Sequence, residues 1–591
     1  MGKNSTVNIN SKLIAGTIIL IPLLWIIGLK FVFFQGIAAI LLCLNIKKIK
    51  FKNKKLFYVT ICVLIFCFAN IIAIINNPLN FQRSEFVSAI YHLSYWISGI
   101  IIINVLANSD MNEKNTNYIT KALYILAIVQ VIILIISITQ WLSGQRWTAS
   151  TALIYNVLPS KFQNSFLFEV MTLNIAVEDP ILNNIYYRFN GFYVYPVAAG
   201  IGSFYLLLQS NFSNLYKKNK SKLNEFMNNF IKILTIIGLI ICIFTSRSRM
   251  VYISIIIGLV VTILTFVWDK KTYKKILITM LLLGLIGLTL CIKFDLINVI
   301  LGSRPDSSSD RLMQYKYALD TLSQYPFFGV GDKFKVPDVY LMIGSHSTYL
   351  SVLIRSGIIG TISIIGFILI TFCQVFNNKK YITNRKSRNI WFNTTWLFIT
   401  SVIWMFTEEI DWPQIVAFLF FVNVALIFSF KKLSKSVCEK NELKIAFVTS
   451  SGGHLTHLIQ MKSWWENKER IWVTFRKTDA ESILKCEKKY WCYYPTNRNI
   501  KNLFKNSYLA IKVILKEKPD LLISTGAAVA IPFYYIGKIY GCKLIYIEVY
   551  DRIDSPTITG RVVYPICDEF IVQWEEQLRF YPKAKLLGGL F

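Results

Sequence analysis

A polytopic bundle of membrane helices followed by a cytoplasmic, Rossmann-like α/β domain is the fold class this sequence predicts, and three observations predict it. The 591-residue chain has a mean hydropathy of +0.47 and 54% hydrophobic residues, too apolar for one soluble domain and long enough for two. Apolar runs long enough to cross a bilayer, about twelve in all, fill the first part. Beyond residue 435 charges become frequent, and short β-rich runs alternate with helical ones. These shifts place a membrane domain at 1–435 and a cytoplasmic domain at 436–591.

The expected spans lie near 13–29, 31–46, 56–76, 86–107, 120–142, 191–209, 228–245, 250–268, 276–292, 347–376, 389–406 and 413–430. The first follows MGKNSTVNINSK without a convincing small-residue cleavage site, so it reads as a retained span and not a removed signal peptide. Basic connections at 47–55, 217–222, 270–275, 379–388 and 431–435 alternate with connections poorer in charge. By the positive-inside rule both termini are cytoplasmic. The segments 143–190 and 293–346 then face outward, as do the short turn SRSR at 246–249 and the acidic turn TEEIDWPQ at 407–414.

The net charge of +31 suggests nucleic acid until its distribution is considered. From Cys438 onward there are 23 Lys and Arg against 16 Asp and Glu, a net +7, which leaves +24 among the membrane segments. That is a topology signal, and no nucleic-acid partner is expected. The eleven cysteines form no disulfide framework and no CxxC metal pair. An ion-coupled transporter would place ionisable groups or broken helices within its spans, often in two repeated halves. The spans here are nearly free of charge, with His92 the main exception and read as a packing residue, and no repeat is visible. A transporter with a regulatory cytoplasmic domain stays as the alternative class.

The longest polar interruption runs between the spans at 276–292 and 347–376. With the neighbouring turn it places Arg247, Arg249, Arg304 and Arg311 on the outward face. A guanidinium offers a rigid fork of donors matched to phosphate oxygens. Each arginine alone reads more readily as a snorkelling or loop-solvating residue. Together they suit the diphosphate of a lipid-linked sugar. His346, directly before a span, suits a general base or a hydrogen-bond donor to a glycan.

At these residues the sequence resembles a known family. SRSRMVYISIIIGLVVTIL, DRLMQYKYALDTLSQYPFFGVG and HSTYLSVLIRSGIIGT, in this order, are similar to the O-antigen polymerase and ligase family, over about 228–430. The resemblance implies glycosyl transfer without a metal or other cofactor, in which polyprenyl diphosphate leaves and the hydroxyl of a second glycan attacks. It assigns Arg247, or alternatively Arg249, and Arg311 to the diphosphate, and His346 to the acceptor. Arg355 in LIRSG departs from the pattern, where an acidic or neutral residue is expected.

In the tail, KIAFVTS, RIWVTFR, DLLISTG, KLIYIEVY and EFIVQW read as strands. HLTHLIQMKSWW, NIKNLFKNSYLAIKVILKEK and AAVAIPFYYIGKIYG read as helices between several of them. Near-continuous apolar strands alternating with helices imply a parallel, doubly wound sheet, whose ligands bind at the carboxyl ends of the strands. Two such ends carry open turns, SSGGH (Ser451, Gly452, Gly453, His454) and STGAA (Thr525, Gly526). Neither is a GxGxxG fingerprint, so a nicotinamide cofactor is not expected.

FVTSSGGHLTHL, ISTGAAVAIPF, YIEVYDRIDSPTITGR and CDEFIVQWEEQ together resemble the membrane-associated subunit of two-part UDP-sugar transferases, of the bacterial exopolysaccharide and dolichol-linked chitobiose types. The match covers 444–591 and implies the acceptor half of a GT-B glycosyltransferase. Gly452, Gly453 and His454 would line the acceptor cleft, with Glu548, Arg552 and Gly560 in a following loop of the site. His454 is the candidate base, with a structural part at the strand end as the alternative. The UDP-sugar half is expected on a separate partner subunit, since the match runs to GGLF at the end of the chain. The combined expectation is a surface, capsular or exopolysaccharide enzyme that polymerises lipid-linked repeats. A ligase moving finished glycan to another acceptor is the alternative enzyme.

Overall fold

The architecture comes from a computed structural model that describes residues 7–46, 53–81, 83–144, 150–159, 168, 171–181, 184–210, 222–267, 305–337, 342–382, 385–412, 415–438, 443–496 and 499–589. The chain forms two compact units, Met1–Tyr381 with Ile390–Lys435, and Ser436–Phe591 with Ile382–Asn389.

The helical unit runs α1 (Ile9–Ile27), α2 (Phe33–Asn45), α3 (Lys54–Asn76), α4 (Arg83–Asn108), α5 (Glu113–Leu142), α6 (Pro196–Gln209), α7 (Lys222–Thr245), α8 (Arg249–Val267), α9 (Pro305–Gln324), α10 (Thr348–Asn378), α11 (Arg385–Trp404) and α12 (Ile415–Cys438). The expected span at 276–292 lies outside the described residues; the other expected runs are all helical. Among the described residues, eight helices are long and apolar enough to cross a membrane: α1, α3, α4, α5, α7, α8, α10 and α12. Helices α2 and α6, of 13 and 14 residues, are too short at about 1.5 Å per residue to do so alone. The polar segment before α10 contains the amphipathic α9, and the segment before α6 contains an antiparallel hairpin, Ala176–Ile181 with Asn184–Phe189.

Helix α12 is apolar on every face, and 89% of its most apolar window is buried, against 28% to 56% in the other seven. A helix hydrophobic all round belongs at the centre of a bundle. Its buried polar residue Asn423 is matched, accepting from Gln209 Nε2 at 2.7 Å and donating to Thr394 O at 3.0 Å.

Helix α10 is broken at Gly357, where φ is 60° and ψ is −159°, a region open essentially to glycine alone. The break frees backbone groups that an apolar interior cannot solvate. The segment Pro326 to Gly331 satisfies them. Val330 N donates to Ile354 O at 2.8 Å and Gly331 N to Arg355 O at 3.2 Å, while Ile358 N and Ile359 N donate to Pro326 O at 2.8 Å and Phe327 O at 3.2 Å. Asn70 Nδ2 adds bonds to Gly331 O and Arg355 O, both at 2.8 Å. Backbone meets backbone so closely that a Cβ on Gly357 would stand 2.5 Å from Phe327 C, and one on Gly329 2.2 Å from Ile354 O.

The α/β unit is a seven-stranded parallel sheet: β1 (Ile445–Val448), β2 (Arg470–Phe475), β3 (Lys489–Cys492), β4 (Leu521–Ser524), β5 (Lys543–Ile547), β6 (Glu569–Val572) and β7 (Lys585–Leu586). The spatial order is β7-β6-β5-β4-β1-β2-β3. Five strands match the runs read from the sequence. The two edge strands β3 and β7 were not among them, being four and two residues long and each opening on a lysine. Helices α13 (Gly453–Gln460), α14 (Lys462–Trp465) and α15 (Thr478–Ile483) belong with one face of the sheet, where Leu455, Leu458, Trp465 and Ala480 join Phe447 and Trp472 in a core. Helices α16 (Ile500–Glu517), α17 (Ala530–Tyr540) and α18 (Ile558–Val563) cover the other, with Val513, Ile514, Phe533 and Val563 on Val448, Leu522 and Leu544. The chain starts in the middle of the sheet at β1, winds out to β3, then returns to β4 on the other side. That reversal opens a crevice at the carboxyl ends of β1 and β4.

Gly357→Ala should destabilise the helical unit by roughly 1–3 kcal/mol from backbone strain alone, and further from the overlap with Phe327. Gly36→Ala, within α2 and with open space around its Cβ, is the control and should leave the midpoint unchanged or raise it. Thermal melting of the detergent-solubilised chain checks both; an unchanged midpoint for Gly357→Ala would refute the account of the break.

Candidate functional site

In the helical unit, His346 sits at the carboxyl end of the long connection, with φ at 62°, a left-handed backbone uncommon for a residue with a side chain. Directly behind it, Ser347 caps α10 by accepting from Leu350 N at 3.3 Å. Thr348 binds the 405–410 turn through its N–H to Met405 O at 2.9 Å, through Oγ1 to Glu408 O at 2.8 Å, and by accepting from Ile410 N at 2.9 Å. His346 thereby lines a small, partly open pocket with Gln314, Tyr315, Ser345, Phe406 and Thr407. Arg311 lies in the same helix as Gln314 and Tyr315, one turn earlier, and its side chain is outside the described set. Arg304 is outside the described residues.

Arg247 and Arg249 are exposed at the SRSR turn, and Arg247 has φ at 47°. Sequence reasoning missed a third guanidinium here. Arg188, on the hairpin, donates Nε to Ser246 O at 3.0 Å and so joins this turn from a connection about sixty residues earlier. Only pairing of the hairpin could have revealed it.

The expectation that the spans are nearly free of charge needs correction. Arg355, wholly buried within α10, pairs with Asp411 of the acidic turn, and Lys333 pairs with Glu409 at 2.9 Å. Trp96 Nε1 donates to Asp411 Oδ2 at 3.0 Å, His92 Nδ1 donates to Asp411 O at 3.0 Å, and Lys333 Nζ lies 4.6 Å from the centre of the Trp412 ring. Asp332, 1% exposed, completes the cluster, and burial pushes its carboxyl up against the pull of Lys333 and Arg355. His92, buried against Tyr91 and Trp412 and bonded through Nδ1 to a backbone oxygen, is the packing residue the sequence suggested, seated beside this ionic network. The signal lay in complementary charges far apart in sequence, LIRSG, GDK and TEEID. One ligand atom each from His92, Glu409 and Asp411 lie within 4.8 Å of one another, spacing that could hold a cation. Lys333 and Arg355 already supply positive charge to the same carboxylates, so the cluster fits internal ion pairs better than a metal.

In the α/β unit, the turns after β1 and β4 meet at the crevice. His454 Nδ1 faces Thr525 O at 2.9 Å, and Thr525 Oγ1 donates to His454 O at 2.7 Å. A carbonyl only accepts, so Nδ1 carries the proton and Nε2 keeps its lone pair. Burial, ahead of any charge effect, holds His454 below the ordinary histidine value, and Asp551 opposes the shift weakly. Gly526, with φ at 135°, gives the imidazole its room, since a Cβ there would stand 2.5 Å from His454 Cε1. Gly452 and Gly453 are exposed beside half-buried Ser451, and Gly452 N donates to Asp479 Oδ2 at 2.6 Å. The structure therefore brings Ser451, Gly452, Gly453, His454, Thr525 and Gly526 together.

Glu548 and Gly560 sit differently. The Glu548 carboxylate is fully buried and accepts from Thr557 Oγ1 at 2.9 Å and Tyr581 OH at 2.7 Å, while Gly560 N donates to Thr557 Oγ1 at 2.9 Å. These residues shape the 549–557 loop from within. Exposed Arg552 is on that loop, its Nη1 donating to Ser555 Oγ at 3.3 Å.

Two family models match this chain. Residues 234–365 match the O-antigen ligase family, and residues 445–590 match the family described as oligosaccharide biosynthesis protein Alg14 like. The Alg14-like part is similar to the UDP-N-acetylglucosamine transferase subunit ALG14 of Debaryomyces hansenii, 29% identical over 27% of this chain and 82% of that protein. The same-named proteins of Homo sapiens and Candida albicans are each 25% identical, over 27% and 29% of this chain and 87% and 90% of theirs. Among solved structures, UDP-N-acetylglucosamine 2-epimerase from Rickettsia bellii (15% identity, TM-score 0.23) and Acinetobacter baumannii MurG (14%, TM-score 0.21) each align with 25% of this chain. The chain spans 46% and 45% of those two. The ligase-like part includes Arg247, Arg249, Arg304, Arg311 and His346, and the Alg14-like part includes the whole crevice. Both parts are of glycosyl-transfer type and belong to glycan biosynthesis.

Asp411→Asn should cost about 3–5 kcal/mol, because it leaves the buried Arg355 guanidinium without its carboxylate. Replacing both members, Arg355→Met with Asp411→Leu, should recover part of that loss. Melting of purified protein decides it; a double variant no more stable than the single one would contradict a paired network.

Proposed function

We propose that the chain unites two steps of surface polysaccharide assembly. The segment 1–435 polymerises polyprenyl-diphosphate-linked repeat units on the outer face of the plasma membrane. The segment 436–591 is the acceptor-side half of a cytoplasmic UDP-sugar transferase, completed by a separate donor-binding subunit. The observation that carries the reading is the His346 pocket, built against the helix that holds Arg311, with His346 and that helix both inside the ligase-like match.

In that pocket a glycan hydroxyl attacks the anomeric carbon of a lipid-linked repeat. The bond from that carbon to the diphosphate oxygen breaks, and the hydroxyl proton passes to His346. Arg311 and Arg247, with Arg249, Arg304 and the added Arg188, meet the charge developing on the leaving diphosphate. The same geometry serves a ligase that attaches finished glycan to another surface acceptor, a second reading favoured by the description of the matched family. A transporter is less well supported, because the groups freed by the α10 break are bonded internally and the buried Lys333 and Arg355 are paired with carboxylates.

In the crevice, His454 Nε2 takes the proton of an acceptor hydroxyl, Gly452 and Gly453, without side chains, let the acceptor approach the turn, and Glu548 positions the loop carrying Arg552. The alternation of basic connections supports a topology with both termini in the cytoplasm.

His346→Ala and Arg311→Ala should each abolish long polysaccharide while lipid-linked single repeats accumulate, a loss on the order of a hundredfold or more in rate. Arg311→Lys should rescue poorly, since an ammonium lacks the bidentate fork. In the same cells, an impermeant thiol reagent should label a cysteine placed at Thr407 and spare one at Ser463. Normal chain lengths in both alanine variants would sink the polymerase and ligase readings together.

The full chain in vesicles should transfer sugar from UDP-sugar to a lipid acceptor only when the donor-binding subunit is added. Because burial lowers the His454 pKa, its imidazole is neutral at pH 7, and activity should decline only as pH falls below the ordinary histidine value of about 6.5. Transfer by the chain alone would refute the divided site.

A further inference from the structure

Helix α16 presents a surface that the fold does not use. Its inward face is fixed: Ala510, Val513 and Ile514 are buried in the sheet's core, and Asn506 exchanges two 2.9 Å hydrogen bonds with the backbone of Tyr493. At the helix's end, Glu517 accepts from Lys444 at 2.9 Å, from Lys488 at 2.7 Å and from Tyr490, contacts that hold its carboxyl down to about 2. The opposite half-cylinder therefore faces solvent in one defined orientation.

On it lie Ile500, Phe504, Tyr508, Ile511 and Leu515, exposed by 70%, 72%, 71%, 41% and 43%. At about 100° per residue these positions fall within one arc of about 80°. Lys501, Lys505, Lys512 and Lys516, all exposed, each follow one of these residues and so form a parallel stripe along one edge. The helix's only carboxylate is the buried Glu517, leaving its outer face purely cationic.

A protein partner covering this face would have to desolvate a row of lysines, a residue depleted in protein interfaces. A lipid surface has no such requirement. Its headgroup phosphates attract ammonium groups without fixed geometry, and the lysine stems can reach upward while the apolar stripe enters the acyl boundary. We propose that α16 is an interfacial helix that lays the α/β unit flat on an anionic lipid surface. Since α16 follows strand β3, its amino end lies at the carboxyl edge of the sheet, the edge that carries His454. Docking there holds the crevice at the height of a lipid-linked acceptor, a consequence that rests on the functional reading above; the docking itself does not.

The test uses the full chain in phosphatidylcholine vesicles, with or without added phosphatidylglycerol. The photoreactive residue p-benzoylphenylalanine replaces Phe504 or, as control, exposed Lys485, which follows α15 from the opposite sheet face. After irradiation, mass spectrometry should find lipid adducts at position 504, several-fold more with phosphatidylglycerol, and only background at 485. Lys505→Glu with Lys512→Glu should remove the dependence on anionic lipid. Peptide adducts at 504, or lipid adducts no more abundant than at 485, would overturn the proposal, the first outcome assigning the stripe to a protein and the second to plain solvent.

Discussion

The helical unit depends on one requirement: where α10 breaks at Gly357, every freed backbone group must find a partner inside an apolar bundle. The 326–331 segment meets it by lying against the break, and this has further effects along the chain. The segment draws Asp332 and Lys333 into the interior, where a cation without a carboxylate is untenable, so Glu409 is needed. Arg355, two residues before the break, needs Asp411 in the same way. Both acids come from one turn, and Thr348 ties that turn to the start of α10. His346 is left between these constraints, which explains how a non-glycine residue is held at a positive φ in a pocket wall. Buried ion pairs contribute little net stability, but leaving one partner alone is costly, so they fix position more than they strengthen the fold.

A comparable economy governs the α/β unit. The reversal of strand order puts two turns side by side, and a single reciprocal pair, His454 with Thr525, joins them. Neither residue spends a charge on this. The bond through Nδ1 also settles the tautomer, so the residue that fastens the crevice is left with its accepting nitrogen unused by that contact. The loop after β5 is held from beneath by Glu548, whose two oxygens are occupied by Thr557 and Tyr581.

Periodicity and turn chemistry were legible in the sequence wherever structure follows from local pattern. The apolar runs, the five main strands and the glycine turns at 452–453 and 526 all carried their own signal. The missed features are non-local or very short. Arg355 looked like a misfit because its carboxylate lies 56 residues away in a turn that reads as an ordinary acidic loop. The break of α10 was hidden because LIRSGIIGT is apolar on either side of a glycine that a helix could tolerate, and only the FFGVG segment packed against it shows why Gly357 is needed. Glu548 and Gly560 were visible as a motif, but their burial, which makes them a scaffold for the loop, depends on Tyr581 from beyond the last long strand.

The character of His454 bears on what kind of chemistry the crevice suits. Its orienting partner is a backbone carbonyl and not a carboxylate, and burial lowers its basicity. Such an imidazole is a poor base for removing a proton from an alcohol at rest. It is adequate when the leaving group departs early, because the attacking hydroxyl becomes acidic only as its oxygen bonds to an electron-poor anomeric carbon. A sugar diphosphate donor provides that order of events, with its charge met by cationic groups and backbone amides and not by strength in the base. A weak, fixed, neutral histidine beside glycine-rich turns is therefore consistent with transfer from an activated sugar, and it argues against reactions that need a strong base from the same residue.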